Sequence, residues 1–162
     1  MLRDSGIRMQ RPIIIGSDHA GLRLKTELAR YLSSKKYEIA DMGPYEYVET
    51  DDYPDYALRV CEEVVRKNSR GILICSTGQG MDRVANKIYG IRASVAWDEL
   101  SARIAKEHGD VNVLCLGQMT TSYPTAKRIL DIWLRSPRSS AARHARRRRK
   151  IGRIERSYFK RG

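Results

Sequence analysis

The stretch Gly71-Ile-Leu-Ile-Cys-Ser-Thr-Gly-Gln-Gly80, followed by Met81-Asp-Arg-Val-Ala-Asn-Lys87, holds the residue types best suited to chemistry. Ile72, Leu73 and Ile74 form an apolar run of strand length. Such a run, apolar on both faces, suits a buried parallel strand. The strand is expected to end at Cys75, and a helix to begin near Gln79 after Ser76, Thr77 and Gly78. A strand, a tight glycine turn and a helix N-terminus aim several backbone N–H groups at one spot and add positive potential. That potential favours a reactive thiolate. Cys75 is therefore a candidate base or nucleophile, with Gly78 and Gly80 in a cradle for negative charge. The plain alternative is an inert strand-end cysteine in an ordinary turn. No Gly-Lys-Ser/Thr follows, so this is not a Walker loop, and the glycine spacing is not that of the dinucleotide fingerprint.

Other polar groups fall where a parallel sheet could align them with Cys75. Asp18 and His19 follow the apolar run Pro12-Ile-Ile-Ile-Gly16. Asp18 suits a helix N-cap, and the two could form a general acid pair or touch a phosphate. His108 follows the helix after the fourth strand. Arg143 and Arg147 are spaced i and i+4 on one face of a basic helix, and two guanidiniums there fit a phosphate. For most of Arg143–Lys150 the expectation is a solvated or RNA-binding basic run.

The elements that position these residues are legible from periodicity. Strands are expected at 12–16, 37–40, 72–75, 91–96 and 111–116. Helices are expected from Asp18 to about Ser34, from Pro54 through Val65, from Gln79, over 99–107, over 125–134 and from Ala141 onward. The segment from Asp41 to Tyr53 is a loop rich in acids and tyrosines. Five alternations of strand and helix imply an α/β sandwich around a parallel sheet with right-handed crossovers. Ligands of such sheets bind at the carboxyl ends of the strands.

At 162 residues the chain is a prior for one domain with a real core. The expected division is an N-terminal extension at 1–11, one domain at 12–151 and a basic tail at 152–162. Met1–Gln10 lacks the apolar centre of a signal peptide, and no run approaches membrane-spanning length. Cys61, Cys75 and Cys115 have no metal-ligand spacing and point to a reducing, cytoplasmic setting without zinc. The net charge of +12 is local. From Arg135 onward there are 12 basic residues and one acid, leaving 19 basic and 18 acidic residues before it. A neutral body argues against a nucleic-acid face spread over the fold.

Several blocks in order resemble ribose-5-phosphate isomerase B and, more widely, the bacterial galactose-6-phosphate isomerase subunits. These are Gly16-Ser-Asp-His-Ala-Gly21, Asp52-Tyr-Pro-Asp-Tyr-Ala57, Gly71–Met81, Ala85-Asn-Lys87, Gly90-Ile-Arg92, Ser101-Ala-Arg103, Asn112-Val-Leu-Cys-Leu-Gly117 and Arg143-His-Ala-Arg-Arg147. The match runs from about Ile13 to Ile151. It implies a three-layer, Rossmann-like doubly wound sheet of about five strands with a C-terminal basic helix. It implies a homodimer, or a tetramer built from it, with active sites shared between subunits. The implied reaction is aldose–ketose isomerisation of a sugar phosphate, with no cofactor and no metal. By resemblance Cys75 is the base, and Thr77, Gly78 and Gly80 form the anion-stabilising loop. Asp18 and His19 meet the sugar ring and phosphate, and Tyr53 lines the site. His108 serves ring opening, and Arg143 and Arg147 bind phosphate.

The chain departs from the family pattern at four places. Ser76 stands where Gly is common, Gly109 where Asn is common, and Met119 where a basic residue is frequent. Ala141-Ala142 replaces a Gly-Gly pair. The leading expectation is conversion of ribose 5-phosphate to ribulose 5-phosphate. The alternatives are another pentose or hexose phosphate, with the substrate shifted by Ser76, Gly109 and Met119, or a non-catalytic RNA-binding protein using the tail.

Overall fold

Three apolar runs, at 13–17, 70–75 and 113–117, form the centre of one sheet because each buries both of its faces under helices, and two short, half-buried strands flank them. The computed structural model describes residues 11–159. Most of the expected N-terminal extension and the last three residues of the tail lie outside them. The strands are β1 (Ile13–Ser17), β2 (Ile39–Asp41), β3 (Arg70–Cys75), β4 (Ala93–Val95) and β5 (Val113–Gly117). All neighbours are parallel, in the order β2-β1-β3-β5-β4. The helices are α1 (Leu22–Ser34), α2 (Tyr53–Lys67), α3 (Gln79–Ala85), α4 (Glu99–Gly109), α5 (Tyr123–Arg135) and α6 (Ala142–Tyr158).

The two-residue alternation of a strand divides the core into two layers. Ile13, Ile15, Ile72, Ile74, Leu114 and Leu116 pack with Leu24, Leu28 and Leu32 of α1, Ala102 of α4 and Ile129 and Trp133 of α5. Ile14, Leu73, Cys75, Val113 and Cys115 pack with Val60, Cys61 and Val64 of α2 and Met81 and Ala85 of α3. Each fully buried Leu or Ile contributes about 1.5–3 kcal/mol. This is the doubly wound three-layer α/β architecture expected from the sequence.

Several boundaries differ from the periodicity reading, and three of them have a clear local cause. β2 begins at Ile39 rather than Tyr37, because Lys36 takes φ +68° and Tyr37 N–H still bonds Leu32 O at the end of α1. β4 keeps only three residues, since Ile91 N–H bonds Ile88 O and Arg92 N–H bonds the Asn112 side chain. α4 runs on to Gly109, so His108 sits inside its last turn rather than after it. α6 is one continuous helix through Ile151 to Tyr158.

Candidate active site

β1 and β3 are neighbours, and the chain leaves them toward opposite sides of the sheet. Their carboxyl ends therefore border a crevice. Asp18 leaves β1 in extended backbone and caps the turn His19–Gly21, its carboxylate accepting Gly21 N–H at 3.0 Å. Gly21 is needed there, because a Cβ would lie 2.5 Å from Ile74 O of β3. Asp18 is 6% exposed, and burial pushes its carboxyl above the usual range against the pull of that N–H.

β3 delivers Cys75 to the same edge. Gly78 N–H points at Cys75 Sγ, 3.1 Å away. Gly78 reaches this position with φ +82°, a conformation that favours glycine, and a Cβ would press on the Leu116 backbone at 3.1 Å. The loop is clipped to the end of β5: Gln118 N–H bonds Cys75 O, and Met119 N–H bonds Ser76 O, both at 2.9 Å. Gln118 Oε1 in turn accepts Leu24 N–H of α1 at 2.9 Å. α3 is only two turns long, so the loop's own N–H groups matter more here than a helix dipole. Tyr53, the first residue of α2, lays its ring against Gly80, where a Cβ would fall 2.8 Å from it. Asp18, His19, Tyr53, Cys75, Ser76, Thr77, Gly78 and Gly80 thus gather on one edge.

All three cysteines are buried, and their positions in the fold separate them. Desolvation pushes the Cys61 thiol up to about 12 and Cys115 well above its ordinary value. Both are packing residues. Cys75 alone of the three ends a strand with an N–H aimed at its sulfur.

Two features of this edge had no signal in the periodicity. His19 Nδ1 lies 2.6 Å from Asp51 Oδ1, which also accepts His19 N–H at 3.1 Å. Asp51 sits in the acid-rich loop, indistinguishable there from solvated neighbours. Ser76 Oγ donates to Met119 Sδ at 2.9 Å, so two of the departures from the family pattern touch each other. An open hollow of about 270 Å³ beside them is lined by Arg23, Glu27, Gln118, Met119 and Tyr123.

His108, Arg143 and Arg147 do not join this group within one chain. α4 starts at the carboxyl edge and runs back, so its last turn lies at the amino edge. The eleven residues of α4 correspond to about 16 Å of travel. α6 begins beside that turn: Ser139 N–H bonds Glu107 O at 2.9 Å, and the His144 ring lies 3.9 Å from the His108 ring. Arg143 Nε donates to His144 Nε2 at 3.1 Å. Burial, then the neighbouring His108, hold His144 below its ordinary value. His108, Arg143 and Arg147 are exposed. Arg148 corrects the expectation of a solvated run, because its guanidinium donates to Glu107 O, His108 O and Ser139 O at 2.8–3.3 Å. It clamps α6 to α4. Among the described residues no group of His, Cys, Asp or Glu is arranged to hold a metal, and no helix is long and apolar enough to cross a membrane.

The comparisons with known proteins agree with this architecture. Residues 13–151 match the family model described as Ribose/Galactose Isomerase. The ribose-5-phosphate isomerase B of Escherichia coli is 40% identical over 125 residues, 75% of this chain and 83% of that protein. The solved ribose-5-phosphate isomerase B of Clostridium thermocellum superposes with a TM-score of 0.86 at 44% identity, covering 91% of this chain and 99% of that one. The enzyme of the same name from Mycoplasma genitalium, solved with bound ribulose-5-phosphate, gives 0.85 at 37% identity, covering 90% and 96%. A match that spans both layers of the core and the whole carboxyl edge leaves one conclusion: this chain belongs to the ribose/galactose isomerase family.

Proposed function

We propose that the protein is an aldose–ketose isomerase of a sugar phosphate, with ribose 5-phosphate and ribulose 5-phosphate as its substrate pair. The observation that carries the chemistry is Cys75 at the end of β3 with the Gly78 N–H on its sulfur, inside a tight glycine turn that leads into α3. Isomerisation moves a proton between C1 and C2 of the open-chain sugar through an enediolate. Cys75 takes the proton from one carbon and returns it to the other. The Thr77–Gly80 loop and the Thr77 hydroxyl meet the developing negative oxygen, a charge that preorganised donors stabilise best. Asp18, protonated more readily because it is buried, can share a proton with a sugar hydroxyl. Tyr53 walls the crevice.

The ring-opening and phosphate groups come from a second copy. His108, Arg143 and Arg147 sit at the amino edge, so a partner presenting that edge to the first chain's carboxyl edge completes two sites at once, as a twofold dimer requires. The α4 surface supports this reading. Trp97 and Leu100 are each 61% exposed and Ile104 41%, an apolar face of the kind that marks an interface. The phosphate, far from the reacting carbons, then contributes orientation.

The test is isomerisation of ribose 5-phosphate by the purified protein beside Cys75→Ala. The mutant should lose about 10²–10⁴-fold in kcat. A folded Cys75→Ala protein with full activity would remove the mechanism. A second reading, a longer sugar phosphate, is favoured by the Ser76–Met119 contact and the hollow beside it. A hexose phosphate turned over faster than ribose 5-phosphate would establish it.

A further inference from the structure

The loop before α2 carries Glu46, Glu49, Asp51 and Asp52, and one of the four differs from the rest. Glu46, Glu49 and Asp52 are exposed, whereas the Asp51 side chain is 7% exposed. Its Oδ1 grips a single residue twice, at His19 Nδ1 (2.6 Å) and His19 N (3.1 Å). Its Oδ2 is buried. The Tyr56 phenol lies beside this carboxylate, and its pKa is raised by burial first, then by the Asp51 charge and by a hydrogen bond to Asp51. A carboxylate removed from water costs several kcal/mol unless a countercharge meets it. The countercharge in contact is the His19 ring. Lys25, the buried cation of α1, is already engaged by Asp41 and Pro44 O.

The grip determines what His19 can offer. Nδ1 faces Asp51, the ring packs edge-on to Tyr47 at 5.6 Å, and 28% of the side chain stays exposed. Nε2 is then the ring atom left for a ligand. It lies on the crevice edge that also holds Asp18 and Cys75. Asp51 lies one residue before the Asp52–Ala57 block, outside every motif that carries the family resemblance.

We propose that Asp51 is a positioning residue for His19: its two-point grip fixes the imidazole so that an Nε2–H donor faces the phosphate end of a sugar phosphate bound at this edge. The inference rests on the sugar-phosphate reading for its ligand. The charged groups facing His19 are Asp51, Asp18 and Glu49. All three raise its pKa above the ordinary value, the Asp51 hydrogen bond most, while burial opposes them. An imidazolium persisting above pH 6.5 overlaps the range in which a phosphate, with a second pKa of about 6, is a dianion.

The experiment is a pH titration of the histidine ring signals by ¹H–¹⁵N NMR, with the His19 signal assigned by its loss in His19→Gln. It is paired with KM and kcat for ribose 5-phosphate and with the Kd of inorganic phosphate across pH 6–9. Asp51→Asn keeps the shape and one acceptor but removes the charge. It should lower the His19 titration midpoint and raise KM and phosphate Kd about tenfold at pH 7.5, with kcat within about twofold, as loss of a charge-assisted contact predicts. Asp51→Glu should restore part of both. An unchanged His19 midpoint in Asp51→Asn overturns the proposal, and so does a fall in kcat with KM unmoved. If Asp51→Asn loses its cooperative melt, Asp51→Ser, which is smaller and also uncharged, carries the same test. The NMR arm needs no turnover. A wild-type protein inactive on ribose 5-phosphate would therefore refute the functional reading while leaving the Asp51 question decidable.

Discussion

At the scale of single residues, identical side chains do different work according to where a strand stops. Cys61 and Cys115 are fully buried, and their thiols are driven up by desolvation. Replacing either by Ala should cost about 1–2 kcal/mol of stability through the lost volume and leave kcat unchanged. Cys75→Ala should do the reverse. Thermal melts and initial rates on the three variants check both halves. The Ser76–Met119 contact makes a second prediction. Ser76 Oγ holds the Met119 thioether over the loop, so an uncharged, 81% exposed side chain occupies the rim. Met119→Arg should lower KM for ribose 5-phosphate about tenfold by adding a guanidinium for the phosphate, read by steady-state kinetics against the hexose phosphate. A KM that rises would show that Met119 itself makes a productive contact.

At the scale of elements, α6 is held by its docking rather than by its composition. It has no side-chain cap at Ala141 and carries like charges along its length. What fixes it is Arg148 on three carbonyls, His144 packed on His108, and Glu155 accepting Gly90 N–H at 2.7 Å. Arg148→Ala should cost about 2 kcal/mol, since charged donors to backbone oxygens contribute about 1.5–3 kcal/mol. Arg149→Ala, on an exposed side chain, should cost almost nothing; the two melts compared decide it. The pH dependence has a definite sign. His144 is held below 6.5 by burial, so the unfolded chain takes up its proton first as pH falls. Its stabilising effect is complete above about pH 6.5 and is lost below it. Protection factors in α6, corrected for the intrinsic slowing of amide exchange at lower pH, should fall as pH drops below 6.5, and His144→Phe should flatten that trend. His19 has the opposite sign: its raised value gives stability present below pH 6.5 and lost as pH rises through the folded value.

At the scale of the whole molecule, the sheet order β2-β1-β3-β5-β4 with parallel strands puts all five carboxyl ends on one edge and the end of α4 on the other. In the dimer proposed above, each chain would carry two half-sites. Mixing unfolded Cys75→Ala and His108→Ala chains and refolding them together should restore about a quarter of wild-type activity. Half of the dimers formed would be mixed, and each would own one intact site. Separate refolding should give none. Leu100→Glu should split the copies in sedimentation and abolish activity although every carboxyl-edge residue is intact.

Sequence by itself determined the α/β class, the strand count, the residues of the β1 and β3 edges and the neutrality of the body. Those properties are written in local periodicity, in the glycine turns and in blocks of residues close along the chain. The parallel pairing that aligns Asp18 with Cys75 followed from them, because alternating strands and helices have few ways to bury their apolar faces. The Asp51 grip on His19, the Ser76–Met119 contact and the Arg148 bonds to the end of α4 span 32 to 43 residues. Each joins loops or helix ends whose composition reads as solvated. The placement of His108 and Arg143 at the far edge was decided by the direction of α4, a property of the packed sheet. Such contacts depend on where the crossovers set their ends, so only the tertiary structure could choose one acid of four, and one arginine of a basic run, for a defined partner.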